Sequence, residues 1–276
     1  MPSAARAVVS RRALRLVLFG RNAAGKSSLL GALMQAAQVE EKLLAGQLTD
    51  VSQGLTELQH HLYDQGPADT TEEIVPYPIK FQPFEAGKKT RPIQAVLIDC
   101  DGQVVSRLLE RRELLEADDA DGPLARALMQ ADAVILVVDA AAPPAELDED
   151  FADFARFLRL LEHSRGREVE VTGQPVLLAL TKCDLLVQPG EKNVTRADWL
   201  NRIEERKRRV AERFKEFLAR AWQQDTLPFG QVHLEAIRPT AIKQPALADS
   251  PARPNDPYGV AELFRESLTD AQLYRG

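Results

Sequence analysis

Cysteine is nearly missing from this sequence. Cys100 and Cys183 are the only two in 276 residues, which excludes a disulfide framework, offers no zinc-ligand pattern, and fits a reducing, cytoplasmic setting. Histidine is scarce too. His60, His61, His163 and His233 hold no metal-ligand spacing with one another or with cysteine, and no serine–histidine–aspartate arrangement can be built from them. No uninterrupted apolar run is long enough to span a bilayer, and Arg6, Arg11, Arg12 and Arg15 flank no long apolar segment of the secretory kind. An excess of positive charge is also lacking. The net charge is −6, and the densest basic stretch, Arg206 to Arg209, lies between Glu204, Glu205 and Glu212 on an expected helix, which argues against a general nucleic-acid binder.

What is present is 45% hydrophobic, enough for one sizeable α/β core over residues 1–276. Aliphatic and β-branched runs predict strands at 14–19, 74–83, 93–99, 132–139, 175–181 and 231–236, with helices in most of the gaps. The runs 74–83 and 93–99 are joined through Glu85–Lys89 without room for a helix, which predicts an antiparallel hairpin beside an otherwise parallel sheet with right-handed crossovers. Leu147, Phe151, Phe154, Leu158 and Leu161 predict a helix buried along one face. Thr195-Arg-Ala-Asp198 looks like a capping box; Leu200, Ile203, Val210, Phe214 and Phe217 then mark the buried side of a helix ending near Trp222.

Two segments break the alternation. At about 39–66, Leu44, Leu48, Val51, Leu55, Leu58 and Leu62 recur at spacings of four and three, which predicts a helical insertion, although Gly46 and Gly54 weaken it. Its stripe either packs on the chain's own core or forms a partner-docking or dimerising face. At about 239–257, Pro239, Pro245, Pro251, Pro254 and Pro257 predict a long loop, closed by a last helix near Tyr258–Leu273.

The strongest chemical signal is Gly20-Arg21-Asn22-Ala23-Ala24-Gly25-Lys26-Ser27, set between the apolar run Leu14–Phe19 and the helical stretch that begins at Ser28. Backbone amides converge on a phosphate only where the loop turns sharply without side chains in the way. Gly20 and Gly25 permit that, and the helix N-terminus adds its dipole. Lys26 is expected at the β- and γ-phosphates and the Ser27 hydroxyl on Mg²⁺. Next, Asp99-Cys-Asp-Gly102 follows the apolar run Ala95–Ile98. At a strand's C-terminal end, Asp99 would hold Mg²⁺ through a water and the Gly102 N–H would bond the γ-phosphate; Gln103 follows where a carboxamide could orient the attacking water. Third, Thr181-Lys182-Cys183-Asp184 ends another strand. Asp184 can accept from both N1–H and N2–H₂ of guanine, whereas adenine would turn a lone pair toward it. Two charge-assisted hydrogen bonds of about 1.5–3 kcal/mol each imply roughly 10²- to 10⁴-fold discrimination, and Lys182 would lie along the base face.

With these three motifs in order, residues 13 to 270 resemble the Ras-like and Era-like P-loop GTPases, the translation-factor-related class of G domains. Val134–Asp139 is similar to that class's central strand. The resemblance implies an α/β fold of three layers, a GTP/GDP site with Mg²⁺, weak intrinsic hydrolysis, and an effector protein, with an activating protein as a further partner. It also implies a switch I threonine on Mg²⁺, for which Thr71 is preferred over Thr70, and an alanine N–H at guanine O6, for which Ala236 in Glu235-Ala236 is the candidate. Asn22 stands where the class often has glycine or proline. Arg107, Arg111 and Arg112 follow the second switch, but nothing places them as an arginine finger. Two other readings stay open: a nucleotide-stabilised interaction module without useful hydrolysis, and a P-loop kinase or ATPase in which Thr181–Asp184 is coincidental.

Overall fold

Apolar runs of six or seven residues that are buried along nearly their whole length suit interior strands covered on both faces. Leu14–Phe19 (β1) is one, with every residue buried. The computed structural model of the chain describes residues 12–65, 75–84, 91–100, 130–165, 175–222 and 237–275. In chain order, β1 is followed by helix Lys26–Val39 (α1), a short helix Glu41–Leu44 (α2), strand Gly46–Asp50 (β2) and helix Gly54–His60 (α3), which runs into a π-helical turn His61–Gln65. Strands Val75–Pro83 (β3), Ile93–Asp99 (β4) and Ala133–Asp139 (β5) come next, then helix Pro144–Arg165 (α4), strand Val176–Thr181 (β6) and a 3₁₀ turn Cys183–Leu186. Helix Arg196–Trp222 (α5), strand Ile237–Pro239 (β7) and helix Val260–Arg275 (α6) complete the described elements.

The strands form one seven-stranded sheet in the order β2-β3-β4-β1-β5-β6-β7. β1 pairs in parallel with β4 and β5, β5 with β6, and β6 with β7; β3 is antiparallel to both β4 and β2. This is the expected mostly parallel α/β sheet with an antiparallel edge. One face is covered by α4 and α5 through Phe151, Phe154, Phe157, Ile203, Val210 and Phe214, the other by α1, α3 and α6 through Leu29, Leu33, Leu55, Val260 and Phe264. That gives three layers, with the C-terminal ends of β1, β4, β5 and β6 along one rim, where ligands of open α/β sheets bind.

The capping box forms as expected. Asp198 accepts from the Thr195 N–H at 2.9 Å and from its hydroxyl at 2.7 Å, and the Thr195 hydroxyl takes the Asp198 N–H at 3.2 Å. The stripe of α4 is also as expected, with Leu147, Phe151, Phe154 and Leu158 all buried.

The insertion is not the single helix that its leucine spacing predicts. Ala45 takes a left-handed φ of 52° and ends α2, after which Gly46–Asp50 adds a third strand to the antiparallel edge, paired with Ile79–Pro83. Asp50 then reorganises the turn: its carboxylate accepts from the Ser52 N–H at 3.1 Å and from the Thr56 N–H at 2.9 Å. Side-chain hydrogen bonding of this kind competes with a continuing helix. Leu44 and Leu55 are fully buried, while Val51 is exposed, so the leucines serve the chain's own core. The expected strand 231–236 lies outside the described residues.

Candidate functional site

The glycine loop occupies the rim at the end of β1. A Cβ on Gly20 would meet the Val137 carbonyl oxygen of β5 at 2.5 Å, so only glycine lets β1 leave the sheet this close to its neighbour. Gly25 has φ 93°, a conformation that other residues adopt at a cost. Ala23 is also left-handed, with φ 61°, and the Asn22 side chain accepts its N–H at 2.8 Å. The chain thus curls into a nest at the N-terminus of α1. Lys26 folds back across it, its ammonium donating to the carbonyls of Gly20 at 2.8 Å and Arg21 at 2.9 Å. Arg21 sends its guanidinium away from the loop to Glu149 of α4, with Asp150 at 3.8 Å.

At the second residue of the helix, the Ser27 hydroxyl donates to Asp99 at the end of β4 at 2.6 Å, and Asp99 is buried. A hydroxyl and a carboxylate held together beside a phosphate loop are hard oxygen donors, the chemistry that Mg²⁺ requires. The pair therefore fits the metal expected at these residues.

The third motif is tied directly to the first. The Thr181 hydroxyl lies 2.6 Å from the Ala24 carbonyl of the loop and 2.9 Å from the Val138 carbonyl of β5. Lys182, left-handed at φ 56°, places its ammonium 2.6 Å from Asp139. Asp184 is buried. Burial raises its pKa above the ordinary carboxylate value, a shift opposed by its own backbone amide and by the positive charge of Lys243. Beneath the motif the Cys183 N–H donates to the Thr240 carbonyl, and the indole of the fully buried Trp199 donates to the Cys183 carbonyl at 2.8 Å. Burial first of all pushes the Cys183 thiol up to about 12; it is a packing residue.

The third motif and the end of the glycine loop open into a cavity of about 470 Å³, lined by Gly25, Ser28, Thr181, Lys182 and Asp184 together with Thr240, Ala241, Ile242 and Lys243. Leu62 and Tyr63 of the π-helical turn and Pro254 and Asn255 of the proline-rich segment supply more of its wall. Gly20 to Ser28, Asp99, Thr181, Lys182 and Asp184 are thus brought to one rim of the sheet. Thr70, Thr71, Gly102, Gln103 and Ala236 lie outside the described residues, as do Arg107, Arg111 and Arg112. Thr240–Lys243 were not among the residues expected here. The only signal there is Thr-Ala after Ile237-Arg-Pro239, a three-residue strand with a single aliphatic side chain and a proline, which does not read as a strand.

No protein-family model matches the chain, and no curated protein matches it. Among solved structures it is similar to a GTP-binding protein from the hyperthermophilic archaeon Sulfolobus solfataricus in complex with GDP, at 14% identity and a TM-score of 0.38 over 95% of this chain and 53% of that one. It is also similar to Sup35 complexed with GDP (14% identity, TM-score 0.37, 87% of this chain and 38% of that one). A third is the S. cerevisiae Ski7 GTPase-like domain bound to GDP and inorganic phosphate (14% identity, TM-score 0.36, 74% of this chain and 40% of that one). The chain spans about half the length of the first of these and less of the other two. Likenesses this distant say nothing of ligand or activity.

Proposed function

We propose that the chain binds GTP and GDP with Mg²⁺ and hydrolyses GTP slowly, as a switch whose partner contacts change when the γ-phosphate leaves. The supporting observation is the cavity that both Gly25 of the glycine loop and Asp184 line, with the two motifs held together by the Thr181 contact with the Ala24 carbonyl. In this reading the amides of Gly20 to Ser28 cradle the phosphates and the Lys26 ammonium neutralises them. Ser27 and Asp99 are the residues that would hold Mg²⁺, which when bound supplies charge neutralisation at the phosphate oxygens. Asp184 accepts from guanine N1–H and N2–H₂, with the Lys182 stem along the base.

The O6 donor moves in this proposal from Ala236 to the loop after β7. The Ala241 N–H is committed to the Tyr258 carbonyl at 3.0 Å, and Tyr258 returns the bond at 2.9 Å. Among the described hydrogen bonds the N–H groups of Ile242 and Lys243 have no acceptor, and it is to this pair of amides that we assign O6.

Slow turnover follows from charge. The guanidinium of Arg21 is engaged by Glu149 and Asp150, and an arginine over the transferring phosphate is worth about 10³ to 10⁵ in rate. Gln103 keeps its proposed water-orienting role, Thr71 its place on Mg²⁺ and Gly102 its γ-phosphate contact. An effector protein that reads the switch segments, and an activating protein that supplies an arginine, are the implied partners. The test is phosphate release from GTP under single-turnover conditions, for the wild type and Lys26→Ala. Slow release that the variant loses supports the proposal; no release from tightly bound GTP would leave a binding module without hydrolysis.

A further inference from the structure

The lysine of the third motif is held at its far end. Lys182 leaves the end of β6 with a left-handed φ of 56°, and its stem crosses the glycine loop, Cε standing 3.9 Å from where a Cβ on Gly25 would be. Beyond the loop its ammonium donates to the Asp139 carboxylate at 2.6 Å, with both side chains partly buried. Among the described ion pairs Asp139 is the one carboxylate partner of Lys182. The acceptor is itself fixed by backbone. Asp139 ends β5 opposite Thr181; the Ala141 N–H donates to its Oδ1 at 2.7 Å, and the Ala140 N–H donates to the Thr181 carbonyl at 2.8 Å, which clamps this turn to the residue before Lys182. One carboxylate oxygen of Asp139 thus serves the turn, and the other serves Lys182.

We infer that Asp139 is a positioning residue for nucleotide binding: by anchoring the Lys182 ammonium it lays the lysine stem along the cavity wall before the base arrives. This rests on the guanine reading of that cavity, which Lys182 and Asp184 line together. A free lysine side chain has many rotamers, and laying its stem against a ligand forfeits them. A stem already anchored in the ligand-free protein loses less on binding.

Asp139→Asn keeps an oxygen for the Ala141 amide and turns an uncharged amide group toward the ammonium; Lys182→Met keeps an unbranched stem and removes the ammonium. Calorimetry in Mg²⁺ with GDP and with inorganic triphosphate would be run on the wild type, on both single variants and on the double variant. Partial release of one lysine's rotamers predicts that Asp139→Asn binds GDP about threefold to tenfold more weakly, while inorganic triphosphate binds it as tightly as it binds the wild type. In the Lys182→Met background Asp139→Asn should weaken GDP no further, because the group it anchors is gone. Unchanged GDP affinity in Asp139→Asn would overturn the inference. So would an equal weakening of inorganic triphosphate, which would make Asp139 a support of the glycine loop, or a further loss of GDP affinity in the double variant, which would mean that Asp139 acts other than through Lys182. Wild-type protein that binds ADP as tightly as GDP would overturn the guanine reading itself, and the inference with it.

Discussion

Thr181→Val tests the joint between phosphate loop and base loop. Valine keeps the branched volume and deletes the hydroxyl that now lies 2.6 Å from the Ala24 carbonyl and 2.9 Å from the Val138 carbonyl. The site is 4% exposed, so water cannot replace the donor without entering the core. Leaving a buried acceptor short of its donor costs about 1–3 kcal/mol, and urea unfolding should show a loss of that size with an unchanged slope. The second effect is on ligands. Because the Ala24 carbonyl belongs to the loop that cradles phosphate, releasing it should weaken GDP and a base-free triphosphate by the same factor, whereas a base-loop defect would spare the triphosphate. Thr181→Ser retains the hydroxyl and should preserve both affinities. Wild-type stability and affinity in Thr181→Val would refute the reasoning. So would a loss in Thr181→Ser as large as that in Thr181→Val.

Gly20→Ala places a carbon 2.5 Å from the Val137 carbonyl oxygen and 3.2 Å from the Val137 Cβ; with backbone on both sides the strands must part. Destabilisation of about 1–3 kcal/mol or more is expected in urea unfolding. Asp150 offers a pH test. Burial, opposed by Arg21, pushes its carboxyl up to about 7 from an ordinary 3.8. The folded protein therefore holds this proton more tightly than the unfolded chain. The stability it contributes is complete below about 4 and is lost as pH rises through about 7, by an amount on the order of a few kcal/mol. Asp150→Asn should flatten that part of the profile of unfolding free energy against pH, leaving the similar contribution of Glu40, also pushed up to about 7 by burial and by Glu262; an unchanged profile would rule out Asp150 as its source.

Strands with long aliphatic runs were legible to within a residue or so, because burial on both faces leaves little freedom of composition: β1, β4, β5 and β6 follow that pattern, whereas β3, with Lys80 exposed, was legible from its apolar residues and its short link to β4. Helix α5 was legible from its cap, where Thr195 and Asp198 satisfy each other's donors. The insertion misled for a specific reason. Its leucines repeat at helical spacing, yet the carboxylate of Asp50 and the left-handed Ala45 divide them among a helix, a strand and a second helix. The loop after β7 was missed because the strand that presents it is three residues long. Glycine loop, Asp99 and Thr181–Asp184 were found because their chemistry dictates residue type and spacing. The Thr181 link to the loop and the Asp139 link to Lys182 depend on tertiary geometry, and no spacing encodes that.

The most direct test is the base preference of Asp184→Asn. Calorimetry with GTP, ATP and XTP in Mg²⁺ would be run on wild type and variant, since a carboxamide donates to the xanthine O2 that replaces the guanine amino group. Wild-type protein that binds GTP and rejects ATP, and a variant that shifts toward XTP, is the predicted result. ATP bound as tightly as GTP by the wild type, or a variant with unchanged preference, would contradict guanine recognition by Asp184.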